Sequence, residues 1–244
     1  MADADPNSHS RPEKRSGDLE APARRDQLEG EGATRGTSRM EAFADGVFAI
    51  SFTLPIVEIA LPAIGQRGQD LGSQLFELWP SYLGYVLASF VIGLYWVHHH
   101  FSGAIYRTTG HWFLVATALF LAMIGFIAYP CRVLTESIVH PGTAADASAF
   151  FVNSLALTSI TWLLKWNVGM RRGNVDARLQ HDYVTRLNRR YWLKTAWNVA
   201  AGVLVFYWWQ GGLAMAGLGL MQLVWPPETP RYRTEAPVIE GETD

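Results

Sequence analysis

The sequence predicts an all-α integral membrane protein with six transmembrane helices per subunit, and three observations carry that prediction. The first is charge segregation. Of 42 charged residues, 14 lie in residues 1–38, nine in 171–194 and seven in 226–244, which leaves 12 for the other 163. A soluble domain repeats its charges at helix or strand period throughout. The second is a set of long charge-free runs. Leu78–Tyr106 has 29 residues, Thr108–Cys131 has 24, Ala147–Leu164 has 18 and Thr195–Pro227 has 33, against the roughly 20 apolar residues that span a bilayer as helix. The third is the placing of aromatics: Trp79, Trp112, Trp192, Trp208, Trp209 and Trp225 fall near the ends of these runs, where an interfacial belt is expected. The averages conceal all this. An apolar share of 49% and a mean hydropathy of +0.06 would suit an ordinary globular chain.

The elements follow in order. Residues 1–38 are rich in Asp, Glu, Arg, Gly, Ser and Pro and read as a disordered cytoplasmic tail. They are not a secretory signal, because no apolar stretch follows the charges. The membrane-spanning body is 39–225. A first span over 40–63 is apolar apart from Glu41, Asp45 and Glu58. The next three runs give spans at 80–105, 111–135 and 147–167. The fourth run is too long for one helix, and Gln210-Gly211-Gly212 in its middle suggests a tight turn. Spans at 191–209 and 212–225 result, the last ended by Pro226-Pro227. Residues 226–244 read as a second disordered cytoplasmic tail. The first three spans do not resemble the last three.

Orientation follows from the positive-inside rule. With the N-terminus cytoplasmic, 18 Lys and Arg lie on that side and only Arg67 and Arg132 on the other. An even number of spans puts both termini on the cytoplasmic side of a cell membrane. The net charge of −2 gives no sign of nucleic-acid binding, and a single cysteine, Cys131, excludes an intrachain disulfide or a multi-Cys metal site. The basic stretch from Arg171 to Lys194 is mostly orientation signal and also suits contact with anionic membrane lipid.

Two segments carry candidate functional residues. On a helix at 100° per residue, Phe43, Val47, Ile50, Leu54, Val57 and Leu61 form one stripe, with Thr53 about 60° from Ile50 on its edge. The stripe fits either a packing face within the bundle or a pore wall in which symmetric copies make apolar rings. Asp45 is the sharper signal, since a carboxylate in a span is usually paired or functional; a plain interfacial carboxylate remains the alternative. Arg39 is about 240° away round the helix, so a partner for Asp45 is expected on a neighbouring helix. The second segment is Trp96-Val97-His98-His99-His100-Phe101. Three adjacent histidines on a helix point in three directions, whereas metal ligands want spacings such as i and i+4. A polar contact between one of them and the Arg39/Asp45 region, or an interfacial position without special role, remains.

The first segment, Arg39-x-x-x-Phe43-Ala44-Asp45-Gly46 followed by Val47-Phe48-Ala49-Ile50, resembles the Arg-x-x-x-Phe-Ser-Asp-Gly motif of the transmembrane protein 175 family, the lysosomal potassium channels and their prokaryotic relatives. The resemblance extends over about 39–135, through Tyr95-Trp96, His99, Phe101 and Tyr129-Pro130. Two departures stand out: Ala44 occupies the motif's Ser, and an Asn often seen early in the family's third helix is not found. The resemblance implies a prokaryotic-type homotetramer with six spans per subunit and the first helix lining a central pore. Its narrowest point would be apolar, starting five residues after the motif Asp. That is Ile50, followed by Leu54 and Val57 with Thr53 beside them. It also implies a motif network of Arg39, Phe43, Asp45, Gly46, His98 and His99. Potassium would be the permeant ion, with no cofactor, no metal and no enzyme activity. A secondary transporter or a proton-permeable leak pathway of the inner membrane is the alternative. Transporters usually show internal repeats and polar mid-membrane sites, and this chain has little mid-span polarity beyond Thr53 and Asn153. A membrane enzyme built on the histidine triplet would lack a second ligand cluster.

Overall fold

The computed structural model describes residues 36–62, 70–140 and 142–232. Most of the N-terminal tail, Arg67 and the last part of the C-terminal tail lie outside the described residues. Among those described, the elements are helices: α1 (Ser38–Thr53), α2 (Leu71–Glu77), α3 (Trp79–Gly103), α4 (His111–Phe126), α5 (Ala128–Glu136), α6 (Ala144–Arg171), α7 (His181–Leu204) and α8 (Trp209–Met221). Three stretches are long and apolar enough to cross a membrane: Trp79–Gly103, His111–Val139 and Ala144–Arg171. They match the second, third and fourth expected spans. The other three differ from expectation, each for a local reason.

The first helix ends at Thr53 instead of running to residue 63, and a 3₁₀ turn follows over Leu54–Ile56. Pro55 explains this. It has no N–H to continue the ladder, and its ring would meet the carbonyl of residue 51. Val57 and Leu61, assigned by spacing to the same helical stripe as Ile50, therefore lie beyond the α-helix. Pro130 acts similarly one membrane helix later. The chain breaks between α4 and α5 at Ile127, next to the carbonyl of Phe126 that the Pro130 ring would strike.

The fifth and sixth helices are α7 and α8, but their junction is at Val205–Trp208, not at Gln210-Gly211-Gly212. The glycine pair lies inside α8, and its role is close packing. A Cβ on Gly212 would sit 2.5 Å from the Cα of Val205, and one on Gly211 would strike the Trp208 ring. The N-terminal half of α7 carries Asp182, Arg186, Arg189, Arg190 and Lys194. α8 has 13 residues, about 20 Å at 1.5 Å per residue, so it is short against a hydrocarbon core of about 30 Å.

α6 is the hub. It packs against α4, α5, α7 and α8, while α3 pairs with α5, and α1 lies on α3 and α4. One apolar core runs through the bundle, with Phe48, Val91, Ile92, Phe120, Ile124 and Leu155 among its members. A second lies at the basic end and includes Met40, Tyr106, Phe113, Trp166 and Tyr183. Gly169 allows the two rings beneath it to stack close: a Cβ there would be 2.8 Å from Tyr106. Gly173, at φ +69°, turns the chain after α6 through a conformation that favours glycine. The Asp176 N–H then bonds the carbonyl of Ile105 (2.9 Å).

The described part of the C-terminal tail is docked rather than free. The Tyr232 hydroxyl donates to the carbonyl of Ala104 (3.0 Å), Leu179 and Tyr232 form an antiparallel bridge, and Glu228 pairs with Arg190 (3.0 Å).

Candidate functional site on the first helix

α1 has two unlike faces. Met40, Ala44, Phe48 and Ser51, spaced four, four and three apart, are its buried residues. They press on α3 and α4, with the Phe48 ring 5.4 Å from His99 and 6.3 Å from Phe120. About a quarter-turn away stand Phe43, Ile50 and Leu54, which are 61%, 58% and 53% exposed. Val47, between the two faces, packs on the core. The apolar stripe therefore points out of its own bundle. Gly46 and Arg39 are also exposed.

Beyond Leu54 the stripe continues only loosely, through Val57 in the turn after Pro55. That turn is tied down from the side. Arg132 of α5 donates to the Glu58 carbonyl at 2.9 Å and reaches its carboxylate at 3.4 Å. The Thr53 hydroxyl donates back to the Ala49 carbonyl at 3.0 Å. Its hydrogen is thereby committed to the helix, and its oxygen lone pairs are what it offers outward.

Asp45 does find its partner on a neighbouring helix, and that partner is Trp96. The indole N–H donates to the carboxylate at 3.1 Å. Neither Arg39 nor a histidine holds it. The histidine triplet separates as its spacing dictates. His98 bonds the Leu223 carbonyl at 2.8 Å, on the side facing α8. His100 lies against the Trp96 ring, 5.7 Å between centroids. His99 turns inward and is buried, stacked on Phe120 at 5.8 Å.

What sequence reasoning missed is Lys165. It was counted with the cytoplasmic basic segment, yet it is 1% exposed in the middle of the bundle. Its ammonium lies 3.2 Å from Nδ1 of His99 and 4.9 Å from the Trp162 ring, with Tyr106 at 5.3 Å and Phe120 at 5.7 Å. A charged Lys165 amine only donates, so Nδ1 of His99 accepts whenever that charge is present. The aromatic faces supply the remaining stabilisation of the charge. A signal was available: Lys165 follows a charge-free run and has Trp162 three residues before it and Trp166 next to it. Through His99 this pair lies against the Phe48 ring and supports the first helix from behind. Ala44 is fully buried there, where the family motif has a hydroxyl.

Known proteins align with this arrangement. A family described as the endosomal/lysosomal potassium channel TMEM175 matches residues 39–127. A protein named potassium channel from Chamaesiphon minutus is 36% identical over 125 residues, covering 51% of this chain and 62% of its own length. Another so named, from Streptomyces collinus, is 33% identical over 146 residues, covering 58% of this chain and 70% of its own. The crystal structure of a lysosomal potassium-selective channel TMEM175 homolog from Chamaesiphon minutus superposes with a TM-score of 0.62 at 27% identity. It covers 77% of this chain and 96% of the other. With the motif helix inside the matched segment and the bundle superposed, the chain belongs to the TMEM175 family.

Proposed function

We propose that this chain is the subunit of a potassium-permeable cation channel of the cell membrane, in which α1 lines a central pore built from four copies. The observation that carries the reading is the outward apolar stripe of α1. Phe43, Ile50 and Leu54 are left without partners by their own bundle, on the helix that bears the family motif. One pore helix per subunit cannot enclose a passage, so closed cyclic symmetry is required. The related proteins named potassium channels supply the ion.

The mechanism is a hydrophobic constriction. Rings of Ile50 and Leu54 make a narrow neck that closes by dewetting. A cation sheds part of its hydration to pass. Potassium gives up water more readily than sodium, which yields a weak preference without a carbonyl filter, and flux is passive. Thr53 oxygens replace part of the shell, since their hydrogens already point at the helix. Val57 continues the lining past the helix end, held in place through Glu58 and Arg132. Asp45, on another face of α1, anchors the helix to Trp96 and does not coordinate the ion. The chain crosses the bilayer six times, with α4 and α5 together making one crossing and α8 a short one, both termini are cytoplasmic, and the protein is a channel rather than an enzyme.

The test is potassium-gradient flux through purified protein in liposomes. Wild type conducts without a coupling ion. Ile50→Asn wets the neck, raising leak and lowering potassium-over-sodium preference. Flux that depends on a second ion gradient would instead favour a transporter. Unchanged leak and selectivity in a folded Ile50→Asn protein would place the neck elsewhere.

A further inference from the structure

A cavity of about 620 Å³ opens between α3, α7, α8 and the segment after α8. It lies away from the α1 stripe, and His98 lines it instead of joining the Asp45 region. Beside it runs an unbalanced row of charge, of which Arg190 and Lys194 reach the wall. Arg186, Arg190 and Lys194 follow one another at i, i+4 and i+8 along α7, a spacing at which like charges repel. Glu228 neutralises one end, at 3.0 Å from Arg190 and 3.9 Å from Arg186. Among the described residues no carboxylate lies within ion-pair distance of Lys194, although its ammonium stem is half-buried in the cavity wall. The His98 ring donates to a carbonyl and brings no negative charge. Trp197 and Trp225 stand at the same cavity, and Trp225 is largely exposed. Inward, the space continues as an apolar crevice between α3, α6, α7 and α8.

We propose that this cavity binds an anionic phospholipid, with the headgroup phosphate on Lys194 and Arg190 and the glycerol and upper acyl region against Trp197 and Trp225. A phosphate supplies the charge that Lys194 lacks and accepts charge-assisted hydrogen bonds. Amphipathic indoles are at home where headgroup meets hydrocarbon, and the basic end of the bundle is the side on which anionic lipid is attracted. A free phosphate would meet the same cations but would gain nothing from the indoles or the crevice.

The experiment measures thermal melting of the purified full chain in mild detergent, titrated with dioleoyl phosphatidylglycerol or dioleoyl phosphatidylcholine. The wild type is expected to be stabilised by the glycerol lipid and much less by the choline lipid. Lys194→Gln should weaken the apparent affinity for the glycerol lipid about tenfold, the size of one charge-assisted bond. Arg189→Gln makes the same charge change on an exposed neighbouring face and should leave affinity within about twofold. Where Lys194→Gln does not fold, Lys194→Arg serves: it keeps the charge and must keep the lipid preference. The proposal is overturned if wild type shows no preference for the glycerol lipid, or if Arg189→Gln loses as much as Lys194→Gln. It is equally overturned if glycerol 3-phosphate alone reproduces the full stabilisation, which would make the site one for a soluble phosphate.

Discussion

α1 and α6 are both apolar helices of one bundle, and they use their apolar residues in opposite ways. α6 is the more enclosed: Phe151, Val152, Leu155, Leu163 and Trp166 are buried within the chain, Leu157, Ile160 and Leu164 alone among its larger mid-helix aliphatics turn outward, and even its one mid-helix cation is enclosed. α1 buries only Met40, Ala44, Phe48 and Ser51 and turns Phe43, Ile50 and Leu54 outward. Lipid can cover such a stripe, but lipid gives no reason for a carboxylate, an indole and a buried cation to fix that helix from behind. Substitutions on α6 should therefore act on stability, and substitutions on the outward face of α1 should act on conduction.

The largest expected effect is at the α6 cation. His99→Phe removes the hydrogen-bond acceptor of the buried Lys165 amine, a loss of about 1–3 kcal/mol. Lys165→Met costs less, because it leaves only a neutral ring nitrogen unpaired. The double variant His99→Phe with Lys165→Met should melt above His99→Phe alone. A double variant whose loss is the sum of the two single losses would show that the two residues are uncoupled and that the Lys165 amine is held by the rings of Trp162 and Tyr106 instead of by His99.

On α1 the contrast sharpens. Ile50→Asn, expected to change flux in liposomes, should shift the melting temperature of the detergent-solubilised protein little, because more than half of that side chain is outside the bundle. A large destabilisation would mean that the stripe packs against something within the assembly and would weaken the pore reading. The Asp45–Trp96 bond is the intermediate case. Asp45→Ala removes the acceptor and Trp96→Phe removes the donor. A double-mutant cycle in melting should return a coupling of about 1 kcal/mol, with the potassium-over-sodium preference of the residual flux unchanged. A change of preference in Asp45→Ala would turn the carboxylate toward the pore.

The same contrast explains how much could be read in advance. Phe43, Ile50 and Leu54 were placed on one face because 3- and 4-residue spacing is a property of the chain alone. Which way that face points was not, since a packing stripe and a pore stripe have the same period. The charge-free runs located α3, α4 with α5, and α6, because a membrane leaves no other use for such runs. The break at Thr53 was legible in Pro55 but was outweighed by the apolar continuation to Leu61. Gly211 and Gly212 read as a turn because glycine serves both tight turns and close helix contacts, and only the approach of Val205 and Trp208 distinguishes the two. Lys165 was hidden by counting: a cation at the edge of a basic segment looks solvated until three aromatic rings are found around it. Trp96 was noted for its sequence position, yet nothing in one dimension pairs an indole with a carboxylate 51 residues away.

The smallest expected effect lies where α6 gives way to α7, and it tests whether the hub is fastened by charge as well as by packing. Asp176 is 5% exposed. The Arg178 side chain grips it through Nε at 3.1 Å and Nη2 at 2.7 Å, and the Arg178 backbone N–H adds a bond of 2.9 Å. Chiefly through the side-chain hydrogen bonds of Arg178, its carboxyl is held down to about 2, against an ordinary value of 3.8. The folded value lies below the unfolded one, so the stabilisation is complete above about pH 4 and is lost as pH falls toward 2. Arg178 is 62% exposed, and solvent screening reduces the contribution to about 1 kcal/mol. Asp176→Asn should accordingly melt lower than wild type at pH 7, and the gap should narrow through pH 3 and close near pH 2. The same backbone N–H that bonds the Ile105 carbonyl is retained in the variant, so the loop keeps its path while losing its charge. A gap that persists unchanged at pH 2 would assign the effect to the shape of the loop, and α6 would then be held at this end by packing alone.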